Sequence, residues 1–270
     1  MGLRYARFYK QVLRLLGKEG IPFLVGGGYA MHRHTGLERP AHDLDVFVLP
    51  SDAERVLRMF ADLGFRTELT FPHWLGKIYK GKGYVDVIFS SGNGIATVDE
   101  SWFEHGVDDV VLGEPVKLSP AEEMIWSKAF VMERERFDGA DVLYLFLARG
   151  EDLDWHRLRE HFREYPLVLF CHLILFLFCF PSEAGRLPNW LWDDLQRELE
   201  SERSAAGSAD RVCRGTVLSR EQYLEALARG FRDVRTLPGG PMRPEDVVTW
   251  TRAATEAEDA RRKREGLVAE

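Results

Sequence analysis

Only three cysteines, Cys171, Cys179 and Cys213, occur in the 270 residues, and none lies in a CxxC spacing. So odd and scattered a set supports neither a disulfide framework nor a zinc knuckle, and reduced core thiols are expected. Long apolar runs are nearly as scarce. The one candidate, "PLVLFCHLILFLFCFP", is bracketed by Pro166 and Pro181. The fourteen residues between them reach about 21 Å as a helix, short of the roughly 30 Å of hydrocarbon in a bilayer. That run predicts a helix buried on most sides, or a surface on which two copies could pair as a homodimer. The start, "MGLRYARFYKQVLRLLGKEG", lacks the apolar core and small-residue cleavage site of a secretory leader and reads as an amphipathic helix. A cytoplasmic protein with no membrane partner is expected.

A basic excess is missing too. The formal charge is -7, and Lys plus Arg stand against Asp plus Glu at 14 to 15 in residues 1–118, 9 to 16 in 119–200 and 13 to 12 beyond. Nothing here demands a duplex-binding surface. With 45% hydrophobic and 12% aromatic residues, an ordinary buried core is available.

What is present in the first half is an alternation of helical and β-rich runs. Helices are predicted near 3–19, after the glycines at 26–28, and at 51–63; strands are predicted at 22–25, 44–49, 65–69, 75–80 and 84–90. "VDDVVLGEPVKL" at 107–118 predicts a hairpin with a Gly-Glu turn. "SPAEEMIW" then predicts a helix with Ser119 as N-cap, Pro120 at its first position and Glu122 closing a capping box. From there to about residue 200 the pattern is helical almost throughout. The expected organisation is a mixed sheet with flanking helices over 1–118, a helical domain over 119–200, and a linker with a helical tail over 201–270. In that last part "SERSAAGSADR" reads as linker, "SREQYLEALARG" as a capped helix, and "TRAATEAEDARRKREGL" as a solvated helix.

The chemistry concentrates in "GGGYAMHRHTGLERPAHDLD", residues 26–45. On a strand over 44–49, Asp43 and Asp45 project to one side while Leu44, Val46 and Val48 enter the core. Carboxylates only about 6.6 Å apart by strand rise call for a cation, and oxygen ligands favour Mg2+ or Mn2+. "YVDVIFS" sets Asp86 between Val85 and Val87, where an ionised carboxylate is costly unless paired. If that strand neighbours the first, three carboxylates converge, enough for two divalent ions and in-line displacement at phosphorus. Gly26, Gly27 and Gly28, ending one strand and opening a helix, offer backbone N–H groups to the phosphates of a nucleoside triphosphate such as ATP.

"VGGGYAMHRHTGLERPAHDLDVFV" with the later "YVDVIF" resembles the polymerase β-type nucleotidyltransferase superfamily, in particular bacterial minimal and AbiEii-like members. The resemblance implies an α+β nucleotidyltransferase fold followed by a helical domain. It also implies Gly27 and Gly28 at the phosphates, Asp43 and Asp45 as metal ligands, and Asp86 as third carboxylate and base. The segment "KAFVMERERFDGADVLYLF" likewise makes Lys128 a phosphate contact. Where the family usually has Arg-x-Thr, this chain has Arg39-Pro40-Ala41; Arg39 enters the Asp strand, suited either to phosphate or to a salt bridge. The implied activity is transfer of NMP from an NTP donor to a hydroxyl acceptor, with a small molecule slightly favoured over RNA or protein. The alternatives are a non-catalytic nucleotide-binding or interaction module and a metal-dependent hydrolase.

Competing motifs fail on particular residues. "GKIYKGKG" at 76–83 has Gly83 where a P-loop needs Ser or Thr, and reads as a turn between strands from which Lys77 alone could reach the triphosphate. Gly26-x-Gly28-x-x-Met31 lacks the third glycine of a dinucleotide fingerprint. His32 and His34 would lie about 200° apart on a helix, and His42 faces away from Asp43, so no zinc site follows. His73 and Trp74 are expected in a core rather than on a base.

Overall fold

The computed structural model describes residues 5–38, 43–205 and 210–253. Its centre is a seven-stranded mixed sheet, with strands β1 (Leu24–Val25), β2 (Leu44–Phe47), β3 (Arg66–Phe71), β4 (Leu75–Lys80), β5 (Gly83–Ile88), β6 (Val107–Val111) and β7 (Glu114–Leu118). They run in the order β3-β4-β5-β2-β1-β7-β6. β2 lies antiparallel to β1 but parallel to β5, and β1 lies parallel to β7. A mixed sheet with flanking helices, followed by helices, is the fold class the alternation of the sequence predicts.

One sheet face packs on α1 (Ala6–Lys18) and α3 (Pro50–Asp62), whose apolar stripes bury Val12, Leu16, Val56 and Phe60 completely. Leu44, Val46 and Val48 point into this core and have no solvent exposure. Towards the other face, Leu24, Ala96, Val98 and Trp102 form a second cluster, joined by Phe47 and Trp126. α2 (Gly27–Thr35) adds Tyr29, Ala30 and Met31 to the first core, and the short α4 (Glu100–Glu104) carries Trp102 of the second. The β6–β7 hairpin turns through Leu112 (φ 54°) and Gly113 (φ 78°), not through Gly-Glu. Two consecutive left-handed residues match the right-handed twist of the strands, and the turn lies one residue earlier than expected.

Helices α5 (Ala121–Ala129), α6 (Gly139–Arg149), α7 (Trp155–His161), α8 (Pro166–Cys179) and α9 (Asn189–Ala205) follow. The capping box does not form. Pro120 is the N-cap of α5, while the Ser119 N–H extends the sheet to the Val25 carbonyl at 2.9 Å. Glu122 instead accepts from the Asp154 N–H and pairs with Arg157 at 2.7 Å, beside a buried Arg157–Glu123 contact. A half-buried guanidinium is a stronger partner for Glu122 than a helix terminus.

Helix α8 is only half covered. It buries Leu169, Phe170, His172, Leu173 and Phe176, but turns Ile174, Leu177 and Phe178 outward, the last 82% exposed. Cys171 and Cys179 are exposed with them, and of the three free thiols only Cys213 is buried. The expected core thiols are thus corrected at two of three positions: a fourteen-residue helix on a small domain reaches the core along one stripe only. Among the described residues no helix is long and apolar enough to cross a membrane.

The first five residues of the expected linker continue α9. Beyond residue 209 the chain forms a two-stranded sheet of β8 (Val212–Cys213) and β9 (Arg232–Asp233), with a short α10 (Leu224–Ala228) between them. Ser219 does not cap a long helix; its hydroxyl donates to Glu133 and accepts from the Gln222 N–H at 3.2 Å. This region packs back on the rest: Met132 N–H bonds to the Leu218 carbonyl, and Asn93 to the Val217 carbonyl at 2.7 Å.

Candidate active site

The alternation of β2 that buries Leu44 and Val46 turns Asp43, Asp45 and Phe47 to the opposite face. β5 lies parallel beside it, with Leu44 opposite Val85 and Asp45 opposite Asp86. β4 pairs antiparallel with β5, setting Lys77 opposite Asp86. A row of Asp45, Asp86 and Lys77 therefore crosses three strands on one face. Lys77 Nζ donates to Asp86 Oδ1 at 2.5 Å and lies 4.3 Å from the centre of the Tyr84 ring. Tyr84, two residues before Asp86 and on the same face, donates its hydroxyl to Asp43 Oδ2 at 3.1 Å.

The carboxylates feel one another. Burial, with the charges of Asp43 and Asp86 added, pushes the Asp45 carboxyl up to about 7. Asp86 is also raised, by burial first and by Asp43, although the bonded Lys77 acts against this. Burial and the neighbouring Asp43 push the Tyr84 hydroxyl up to about 12, so it stays a donor. The set holds oxygen donors only, and its own repulsion makes an added cation favourable, which fits a hard divalent ion. Among the described residues, however, no group of three such side chains already stands at metal-ligating distances. Tyr84 holds an oxygen of Asp43, and Lys77 one of Asp86.

The glycines meet this face directly. Gly26 donates its N–H to the Asp45 carbonyl at 3.0 Å, so that group is taken up by the ladder between β1 and β2. Gly27 opens α2 with φ 51°, and a Cβ there would fall 1.6 Å from Asp45 Oδ2. Only glycine permits this approach. Gly28 follows in the first turn, where N–H groups lack intrahelical partners and carry the positive end of the helix. The positive terminus thus sits against Asp45.

Lys128 does not reach freely from α5; it bonds Asp138 at 3.0 Å and Asp141 at 2.8 Å. Arg136 takes Asp138 in a two-pronged pair at 2.8 and 2.7 Å. The charges of Lys128 and Arg136 still act on Asp45, opposing its rise. Tyr84 and Arg136 had no place in the sequence reading. Tyr84 was accessible from strand alternation around Asp86, whereas Arg136 has no local signal. Arg39 and His42 lie outside the described residues. His32 bonds the Leu37 carbonyl and buried His34 the Ser119 carbonyl, both as packing groups. Trp74 stacks on Phe71, and His73 donates to the Gly92 carbonyl at 3.0 Å.

A cleft of about 370 Å³ opens where α7 faces Ile95 and Pro241. Trp126, His161 and Tyr165 line it with Glu160, Glu164 and Arg163. The His161 ring stacks on Trp126 at 4.5 Å and is tied to Glu123 at 3.3 Å.

No protein-family model matches the chain, and no curated protein matches it in sequence. Among solved structures, it is similar to ANT(2'')-Ia in complex with adenylyl-2''-tobramycin, at 18% identity and TM-score 0.43, over 59% of this chain and 97% of that one. It is similar to the lincomycin-bound lincosamide antibiotic adenylyltransferase LnuA, at 16% identity and TM-score 0.38, over 53% and 95% of the two chains. It is also similar to an antigenic nucleotidyltransferase-like protein from Paracoccidioides brasiliensis, at 13% identity and TM-score 0.42, over 67% and 90%. At such identities the assignment of this chain rests on the chemistry of its own site.

Proposed function

We propose that the chain is a polymerase β-type nucleotidyltransferase, moving NMP from a nucleoside triphosphate to a hydroxyl. The observation that carries this is the register of Asp45 against Asp86 on neighbouring parallel strands, with Asp43 on the same face and the Gly27 backbone pressed against Asp45. Asp43 and Asp45 would hold Mg2+ or Mn2+, with Asp86 as third ligand. The bound ion would supply positive charge to the phosphates and to the attacking oxygen. The N–H groups of Gly27 and Gly28 at the start of α2 bind the outer phosphates. Asp86 receives the proton of the acceptor hydroxyl as the new bond to phosphorus forms and pyrophosphate departs. Residues 1–118 form the catalytic unit in this reading, with 119–200 as helical domain and 201–270 as linker and tail.

The acceptor is a small hydroxylated molecule. A net charge of -7 favours a neutral or cationic compound over a polyanion. The only dense basic run, Arg261 to Arg264, lies outside the described residues.

The test is incubation with each of the four α-labelled NTPs, Mg2+ and fractionated small-molecule extract, beside the Asp45→Asn variant. Labelled product from wild type alone is expected. Wild-type protein that neither binds Mg2+-NTP nor transfers label would refute the reading.

A further inference from the structure

Lys77 is placed oddly for a phosphate contact. Its strand, β4, delivers it to the same face as the three aspartates, yet its ammonium is turned onto Asp86 and the Tyr84 ring. Lys77 and Asp86 are both largely shielded, with 19% and 15% of their side chains exposed, so the pair is little screened by water. The nearby cations Lys128 and Arg136 are bonded instead to Asp138 and Asp141. Tyr84 completes the arrangement by holding Asp43. The two outer carboxylates are thus held by β4 and β5 themselves.

We propose that Lys77 is a tethered counter-cation, bonded to Asp86 in the metal-free protein and displaced from it when a divalent ion binds. This rests on the reading of Asp43, Asp45 and Asp86 as metal ligands. Three like charges on one face repel, and a built-in ammonium relieves them when no metal is present. The same ammonium must then be moved off Asp86 before that carboxylate can serve as ligand or base. Lys77 is accordingly a positioning residue: it lowers metal affinity and keeps the empty site folded.

The experiment is titration of the full chain with Mn2+ by calorimetry, for wild type, Lys77→Met and Lys77→Arg. Lys77→Met keeps the length of the side chain and removes its charge. Its Kd for Mn2+ should fall roughly fivefold to tenfold, about the effect of one partly shielded charge, while Lys77→Arg stays near wild type. In EDTA, Lys77→Met should melt below wild type, and saturating Mn2+ should close that gap. A lysine that only packs would lower the Tm equally in both conditions and leave the Kd unchanged, which overturns the proposal. Wild type that binds no Mn2+, or Asp45→Asn that binds it as wild type does, refutes the metal reading itself and the inference with it. If Lys77→Met fails to fold, the ammonium resonance of Lys77 in the wild type decides. A shift on adding Mg2+ supports displacement, and an unmoved signal refutes it.

Discussion

Replacing Asp45 by Asn should stabilise the metal-free protein, and the gain should grow with pH. The carboxyl has a folded pKa of about 7 against an ordinary value of 3.8, raised by burial and by Asp43 and Asp86. Between those values the unfolded chain releases the proton while the native state keeps it, so native stability falls as pH rises and levels off above about 7. About three pH units at ~1.4 kcal/mol each set a ceiling of ~4 kcal/mol. Asp45 is only half-buried, so screening reduces the expected gain to ~2 kcal/mol. Asn keeps the shape against which Gly27 packs, and no steric cost offsets the gain. Urea unfolding in EDTA should therefore give nearly equal stabilities for wild type and Asp45→Asn near pH 4, and a variant more stable by ~2 kcal/mol near pH 8. Adding Mg2+ should raise the wild type and leave the variant where it was. A variant less stable than wild type near pH 8 would mean that Asp45 is held by a favourable structural bond, and the electrostatic account of the site would be wrong.

Gly27→Ala should cost ~2 kcal/mol or more, because it combines a left-handed backbone with a Cβ driven into the Asp45 carboxylate; a Tm equal to wild type would contradict the packing described. Thiol titration with a chromogenic disulfide should show two cysteines, Cys171 and Cys179, reacting at once and Cys213 only after unfolding. Rapid reaction of all three, or of none, would be inconsistent with the outward face of α8.

Local pattern in the sequence carried much of the first half. Alternating Leu44, Val46 and Val48 determines which face of β2 is buried, and hence that Asp43 and Asp45 share the other. The glycines at 26–28 mark where a strand must give way to a helix with a close neighbour, because only glycine adopts φ 51° against a carboxylate. The halt of an apolar helix between Pro166 and Pro181 is equally local. Other features depend on which elements meet, and no window of sequence encodes that. The capping box at Ser119 was a sound local pattern, yet Arg157, arriving from α7, drew Glu122 away with a largely shielded charge-assisted bond. Lys128 matched a phosphate contact until the fold brought Asp138 and Asp141 within 3.0 Å of it. The exposed stripe of α8 follows from how few helices surround it, which hydropathy does not record. Above all, strand order decided the site: only the parallel pairing of β2 with β5, in the register that sets Asp45 beside Asp86, with Lys77 of β4 on the far side of Asp86, turns three separate acidic residues into one face. A slip of one residue would have sent Asp86 into the core, and that register is chosen by the burial of Val85 and Val87 against the rest of the protein.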